Sequence, residues 1–401
     1  MAKKEIYDVV IVGAGVSGLM LSKLLNKSKL KVLLVEKRNT IKKLVNYRYG
    51  TLKEAVDKFN LQKYVIKKYK KATFGISDLS RQVVFSYPNY FAQIVDMNLF
   101  AKDLKLKCDV HTSFNLKSVS RIEHGFKLFD GKKEYFTKML VDCSGHDQIV
   151  SKLLGRPAKD STDFINISLE LSNCNIPDNI SDRFLFPQYR TTRNMLLWIY
   201  PYSRTRCQFG QADLISKKIL KVGNEEKSIK YIMKQEPYKN WFKNAKINDK
   251  IERIASTTIT RPIIEDNLIT CGEAAGATTP ILGEGFRISL DMADYAYKTV
   301  ISAFEKGDLS KRSLKGYERE FYKKYKKYYP ISTFLRFLEM RYVNTKEYDM
   351  FSQRLKKLNN DEFIDFVGSK ITWRKFFKLM SLALVFSILI NVIKYHVRGK
   401  I

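Results

Sequence analysis

Residues 6–12 (IYDVVIV) form a nearly unbroken apolar, β-branched run, and Gly13-Ala14-Gly15-Val16-Ser17-Gly18 follows it with no spacer. No other feature restricts the fold as much. A continuous apolar run suits a parallel strand covered on both faces. The glycine turn opens a helical stretch with Leu19, Leu21, Leu24 and Leu25, and a second strand, 31–35 (KVLLV), ends in Glu36. Strand, turn, helix, strand and acid make a unit of about 30 residues, the arrangement that binds a dinucleotide. Gly13, Gly15 and Gly18 allow a tight turn and close approach of backbone to a pyrophosphate, and the helix start around Ser17 offers N–H groups to the anion. Glu36 is placed to accept hydrogen bonds from a ribose diol.

The far end of the chain carries a related pattern. Residues 268–286 (LITCGEAAGATTPILGEGF) read as a strand, the pair Gly272-Glu273, a small-residue loop, then Pro280, Gly283 and Gly285 opening a helix at Phe286. The stretch is similar to the second flavin motif of the glutathione-reductase-like flavoproteins, with Glu273 where Asp is usual. That resemblance favours FAD over NAD and implies that the acid reaches the ribityl chain. A helix N-terminus aimed at the flavin N1/C2=O edge would favour the anionic reduced ring. Val141-Asp142-Cys143-Ser144-Gly145 resembles the DxxG turn that closes the nucleotide domain in the same group. There is no second GxGxxG, which argues against a dedicated nicotinamide domain.

Within that superfamily the sequence looks most like the geranylgeranyl reductases, including the archaeal digeranylgeranylglycerophospholipid reductases. The resemblance rests on GEAAG…P..GEG and on Trp198-Ile199-Tyr200-Pro201 followed by Cys207-Gln208-Phe209-Gly210. It implies flavin contacts at Ser17, Glu36, Glu273, Gly285 and Phe286, a loop at Gly50 (NYRYG) passing the ring, and a lipid cavity lined by Trp198 and Tyr200. Large rigid rings suit the grip of a polyisoprenoid. The chain departs from the family at Leu196 (usually Tyr), Arg193 (usually Pro) and Met97 (usually Arg), and it has no cysteine before Cys108. The implied chemistry is hydride transfer from reduced flavin to one alkene carbon and protonation of the other. Tyr47 and Tyr49 are the candidate proton donors, and no metal-ligand cluster is expected. Two other classes stay open: a monooxygenase, halogenase or lycopene-cyclase-like flavoenzyme, and a non-catalytic prenyl-binding protein.

The expected fold class is α/β: a Rossmann-like FAD-binding domain of the glutathione-reductase/p-hydroxybenzoate-hydroxylase type, interrupted by a mostly β substrate domain and followed by helices. The expected boundaries are 1–155 for the first part of the FAD domain, with a small β excursion near 74–94, and 156–250 for the β-rich domain. The FAD domain resumes over 251–305, and 306–401 is a helical C-terminal region. Residues 53–70 are expected to be helical.

Five scattered cysteines without a CxxC pair point to a reducing compartment, and no secretory leader precedes the first strand. The expected location is cytoplasmic, peripheral on the cytoplasmic face of a membrane. A formal charge of +31 suits an anionic membrane surface; no nucleic-acid motif accompanies it, so no nucleic acid is expected. Residues 379–393 (LMSLALVFSILINVI) carry no charge but would span only about 22 Å as a helix, short of the roughly 30 Å core of a bilayer. An interfacial helix fits that length, and a helix packed against the protein stays open as the alternative. The expected partners are an isoprenoid lipid and an electron donor, which could be a ferredoxin, a quinol or a nicotinamide.

Overall fold

A computed structural model describes residues 5–44, 47–76, 82–156, 163–188, 196–215, 225–256, 259, 262–280, 283–326, 328–343 and 345–398. Its N-terminal apolar run is the strand Ile6–Val12, flanked in parallel by Val32–Val35 and Glu134–Asp142. Leu268–Thr270 and Asp109–His111 extend this parallel core on either side, Ile264–Glu265 adds an antiparallel edge, and Ser118–Ile122 and Gly125–Phe129 form an antiparallel meander on Glu134–Asp142. Register explains where the site must lie. Val12 pairs with Val35 and Asp142, and Asp142 pairs with Thr270, so four parallel strands end level. The loops that follow them, beginning at residues 13, 36, 143 and 271, therefore emerge side by side at the carboxyl edge, where ligands of open α/β sheets bind.

Alternate residues of the first strand serve two cores. Val9 and Ile11 pack with Leu19, Met20 and Ile288 of the helices Val16–Leu25 and Phe286–Glu305, while Val10 and Val12 pack with Phe126 and Leu128 beneath the meander. Burying each such side chain stabilises by about 1.5–3 kcal/mol, which explains why the run tolerates so few polar residues.

A second sheet of seven strands runs in the order Lys246–Ser256, Asp163–Ser172, Arg206–Ile215, Leu196–Pro201, Arg183–Gln188, Lys71–Ile76, Val83–Ser86. Ile167, Leu169, Leu171 and Phe209 line its apolar face under the short helices Glu225–Ile232 and Tyr238–Phe242. A small third sheet joins Arg48–Leu52, Ala92–Asp96 and Val65–Tyr69. The sequence boundaries need correction here. Lys71–Ile76 pairs in parallel with Arg183–Gln188, so most of the excursion near 74–94 belongs to the sheet of the β-rich domain. The boundary drawn at 250 falls inside the strand Lys246–Ser256. The helix expected over 53–70 stops at Lys58, because Asn60 adopts a left-handed conformation (φ 53°) that ends it, and Val65–Tyr69 alternates in burial as a strand.

Six α-helices, from Lys311–Tyr325 to Leu382–Arg398, form the described C-terminal region. The uncharged run is broken: Trp373–Leu379 ends, the chain turns, and Leu382–Arg398 begins at 88° to it. Leu384 and Ile388 pack against Tyr342, whereas Leu382, Phe386, Leu389 and Ile393 are exposed. Among the described residues no single helix is long and apolar enough to cross a membrane; the bent pair meets that requirement together, by length and composition only.

Candidate functional site

The loops at the carboxyl edge enclose a cleft of about 490 Å³. Gly13, Gly15, Ser17, Glu36, Glu273, Gly285, Phe286 and Tyr49, all singled out in the sequence, line it together with Arg38, Cys143, Ser144, Gly145 and Thr278. The helix Val16–Leu25 starts here with Gly15 at its N-cap and no side-chain cap, leaving its first N–H groups to the cleft. A Cβ on Gly15 would meet nothing within 4 Å and would stand in the cavity. Gly18 acts differently. A Cβ there would lie 1.9 Å from the Gly13 carbonyl oxygen, so its bareness lets helix and turn close on each other. Gly272 (φ +66°) also lies in a tight place, where a Cβ would come 2.5 Å from Ser17 Oγ.

Glu36 is almost fully buried at the end of the second strand. Its Oε2 accepts from the Ala14 N–H (2.7 Å), and its Oε1 accepts from the backbone N–H and Nε of Arg38 (both 2.9 Å). Burial alone pushes its carboxyl up, but these hydrogen bonds and the Arg38 charge outweigh that and hold it below the usual range. The carboxylate is thus ionised and fixed where a ribose diol would meet it. Arg38 was not foreseen, although a basic residue two positions after the acid was a readable signal. On the opposite wall Asp142 Oδ1 accepts from Ser144 N–H (3.0 Å) and Oγ (2.6 Å), which shapes the turn at 143–145. Among the described residues, Thr278 Oγ1 and His146 Nδ1 are buried without hydrogen-bond partners, and both residues face the cleft. Open space at Gly15, uncapped N–H groups and unmet polar atoms together fit an elongated polar ligand such as a dinucleotide. The residues that could hold one are those of the glycine turn, Glu36, Glu273 and the start of the helix Phe286–Glu305.

A smaller cavity of about 100 Å³ adjoins the cleft. Tyr49, Gly285 and Phe286 line both. Its other walls include Trp198 and Tyr200, where the sequence placed a substrate cavity, and Gly50 and Gly283, expected at the cofactor but lining only this smaller space, and also Arg48, Asn166, Ser168 and Gln208. Tyr200 stacks on Phe184 at 4.2 Å, and Gly50 lies so close that a Cβ would come within 2.8 Å of both rings. Trp198 rests on Gly210, where a Cβ would reach 2.0 Å from the indole. Arg193, one of the departures noted in the sequence, lies outside the described residues.

A polar network that meets this cavity through Arg48 and Gln208 escaped the sequence reading. Glu170, 3% exposed, accepts from Tyr202 Oη and Gln208 Nε2 (both 3.0 Å) and pairs with Arg48, whose Nε also reaches Asp96 at 3.3 Å. Burial raises the Glu170 carboxyl above its ordinary value despite Arg48 beside it. The readable signal was alternation: Asn166, Ser168 and Glu170 occupy one face of a strand whose other face is Ile165, Ile167, Leu169 and Leu171. The structure does not bring Tyr47 to either cavity. Its hydroxyl donates to Asp249 Oδ2 (3.0 Å) in a separate cleft with Lys42 and Lys43, and burial together with nearby Glu170 and Asp249 pushes its pKa up. Among the described residues no His/Cys/Asp/Glu group could hold a metal.

Known proteins resemble this chain in sequence and in fold. A family model described as an NAD(P)-binding Rossmann-like domain matches residues 11–42. The digeranylgeranylglycerophospholipid reductase of Methanococcus vannielii is 23% identical over 344 residues, covering 82% of this chain and 85% of that protein. Its counterpart from Methanocaldococcus jannaschii is 24% identical over 344 residues, covering 81% and 84%. Over about four-fifths of its length this chain is therefore similar to the digeranylgeranylglycerophospholipid reductases. Among solved structures, a geranylgeranyl bacteriochlorophyll reductase-like protein from Thermoplasma acidophilum superposes with a TM-score of 0.79 at 17% identity, over 97% of this chain and 96% of that one. The halogenase PltM, solved with phloroglucinol and FAD, gives 0.69 at 15% identity over 90% and 82%. The fold is therefore the one these structures share, a Rossmann-like α/β core with an added β sheet and C-terminal helices, as the sequence led us to expect.

Proposed function

We propose that this chain binds FAD in the larger cleft and saturates carbon–carbon double bonds of an isoprenoid lipid whose reacting segment occupies the smaller cavity. The observation that carries this reading is the shared wall: Tyr49, Gly285 and Phe286 belong to both spaces, so a ring held in one lies against a substrate held in the other. The substrate names of the relatives support the lipid class.

The roles follow from position. The glycine turn and the first N–H groups of Val16–Leu25 receive the pyrophosphate, Glu36 a ribose, and Glu273 the chain that leads to the flavin. Bound there and reduced, FAD would supply the hydride. Trp198 and Tyr200 hold the alkene segment and exclude water from it. Of the two tyrosines proposed as proton donors, Tyr49 alone lines both cavities, and it keeps that role in this reading. The electron donor is a ferredoxin, a quinol or a nicotinamide.

We further propose that the protein works at an anionic membrane surface on the cytoplasmic side. Support comes from the exposed apolar edge of the C-terminal helices, Trp373, Phe377, Leu382 and Phe386, set in a chain of net charge +31.

The test is anaerobic. The purified protein is scanned for a visible flavin band, reduced with dithionite and mixed with a geranylgeranylated glycerophospholipid. Flavin reoxidation with a product carrying two added hydrogens per turnover supports the reading. A flavin that stays reduced beside unchanged lipid sinks it; if oxygen admitted afterwards then forms a flavin adduct, a monooxygenase or halogenase is favoured, and absence of flavin favours a binding protein.

A further inference from the structure

Helix Tyr329–Tyr342 has two working faces. Ile331, Ser332 and Arg336 are buried against the protein. Tyr329, Pro330, Thr333, Phe334 and Phe337 recur at helical spacing on another side and, with Phe321, Tyr322 and Tyr325 of the preceding helix, line a groove of about 600 Å³. That volume lies within the range of sites that hold small ligands, roughly 300–1,000 Å³.

Two tyrosines of the groove turn their hydroxyls to partners elsewhere. Tyr325 donates to Asp291, and Tyr329 donates to the Thr278 carbonyl at 3.4 Å. Their rings, with Phe321 at 5.3 Å and 6.4 Å, are left facing the opening. Thr278 is also a wall of the dinucleotide cleft, so the inner end of the groove abuts the loop beside the proposed flavin site. The outer end meets the exposed apolar edge: Phe334 is 6.1 Å from Phe376, which contacts Trp373 at 5.5 Å and Phe377 at 5.3 Å. Lys326 stands at the rim.

From this continuity we infer that the groove holds the apolar chain of a membrane lipid, drawn in from the exposed edge, with Lys326 beside its anionic headgroup. The inference rests on the proposed membrane surface, and the occupant is an anionic phospholipid of that surface: the groove runs on into the exposed apolar edge, and a net charge of +31 favours an anionic headgroup.

The experiment is photolabelling of the full-length protein on phosphatidylglycerol vesicles, with diazirine-bearing geranylgeraniol in one arm and a diazirine phosphatidylglycerol in the other. Cross-links should map to peptides within 321–337. Labelling of these peptides by the phosphatidylglycerol probe supports the inference; labelling by geranylgeraniol alone, which carries no anionic headgroup, overturns it. Thr333→Arg, a change at an exposed position, should cut labelling about tenfold with an unchanged melting temperature. Cross-links confined to other segments, or to a second copy of the chain, would overturn the inference. Labelling needs no turnover, so its failure stays distinct from failure of the reductase reading.

Discussion

Tyr49 and Phe286 lie ring on ring, their centroids 4.6 Å apart and their planes 20° from parallel, at the seam between the two cavities. Tyr49 comes from the strand Arg48–Leu52 and Phe286 from the first residue of a long helix, so the pair also ties the third sheet to the nucleotide domain. The stacking needs the ring and the proposed proton transfer needs the hydroxyl, which separates the two roles. Tyr49→Phe should keep flavin binding and stability while lowering alkene reduction by about 10²-fold or more, the usual worth of a positioned acid. Tyr49→Ala should lose the ring contact as well, worth about 1 kcal/mol beyond buried area. Stopped-flow flavin reoxidation by the lipid reads the first effect and thermal melting the second. Undiminished reduction by Tyr49→Phe would remove Tyr49 as the donor.

Gly15 and Gly18 sit three residues apart in one turn and should fail in different ways. Gly15→Asp places a carboxylate in open space where a pyrophosphate would lie, so flavin retention should fall more than tenfold with the fold intact. Gly18→Ala drives a methyl group to 1.9 Å from the Gly13 carbonyl, so the turn itself must shift and soluble yield should drop. Bound flavin is read by absorbance after gel filtration, and folding by circular dichroism.

Glu170 offers a pH test with a defined sign. Its folded pKa is raised above the ordinary 4.5. The folded state therefore binds its proton more tightly than the unfolded chain, and this contribution is present below the unfolded pKa and lost as pH rises through the folded one. Glu170→Gln mimics the neutral carboxyl and lacks that loss. The difference in melting temperature, variant minus wild type, should increase as pH climbs from about 4.5, the reference carboxyl value. A flat difference would mean that Arg48 keeps the carboxylate ionised throughout.

Local backbone demands made the dinucleotide cleft legible. Gly13, Gly15, Glu36 and Gly285 each answer a need set within a few residues, and the strand–turn–helix order around them left little choice of fold. The polar network beside the smaller cavity was hidden for the opposite reason. Arg48, Glu170 and Gln208 lie on three strands far apart in sequence, and Glu170 meets Gln208 only because those residues pair across the sheet. The cysteines carry the same lesson: Cys174 and Cys207 show no spacing motif, yet their sulfurs lie 3.9 Å apart. At the C-terminus composition disclosed an apolar run but not its break after Leu379, which depends on how each half packs.

That break turns the membrane reading into a contrast between neighbouring residues. Phe386 and Leu389 are 67% and 52% exposed, while Leu384 is 1% exposed against Tyr342. Phe386→Glu with Leu389→Glu should leave the melting temperature nearly unchanged, because neither side chain stabilises the fold much. The same pair should weaken sedimentation with anionic vesicles about tenfold or more, since two apolar anchors are lost and two repelled charges gained. Leu384→Ala should do the reverse, costing about 2–5 kcal/mol of stability through a core cavity while leaving the exposed edge in place. Salt should weaken binding of the wild type, as expected where lysines meet an anionic surface. If the double variant still sediments with vesicles as the wild type does, the exposed edge is not the membrane contact, and the basic face of Lys311–Tyr325 becomes the surface to mutate next.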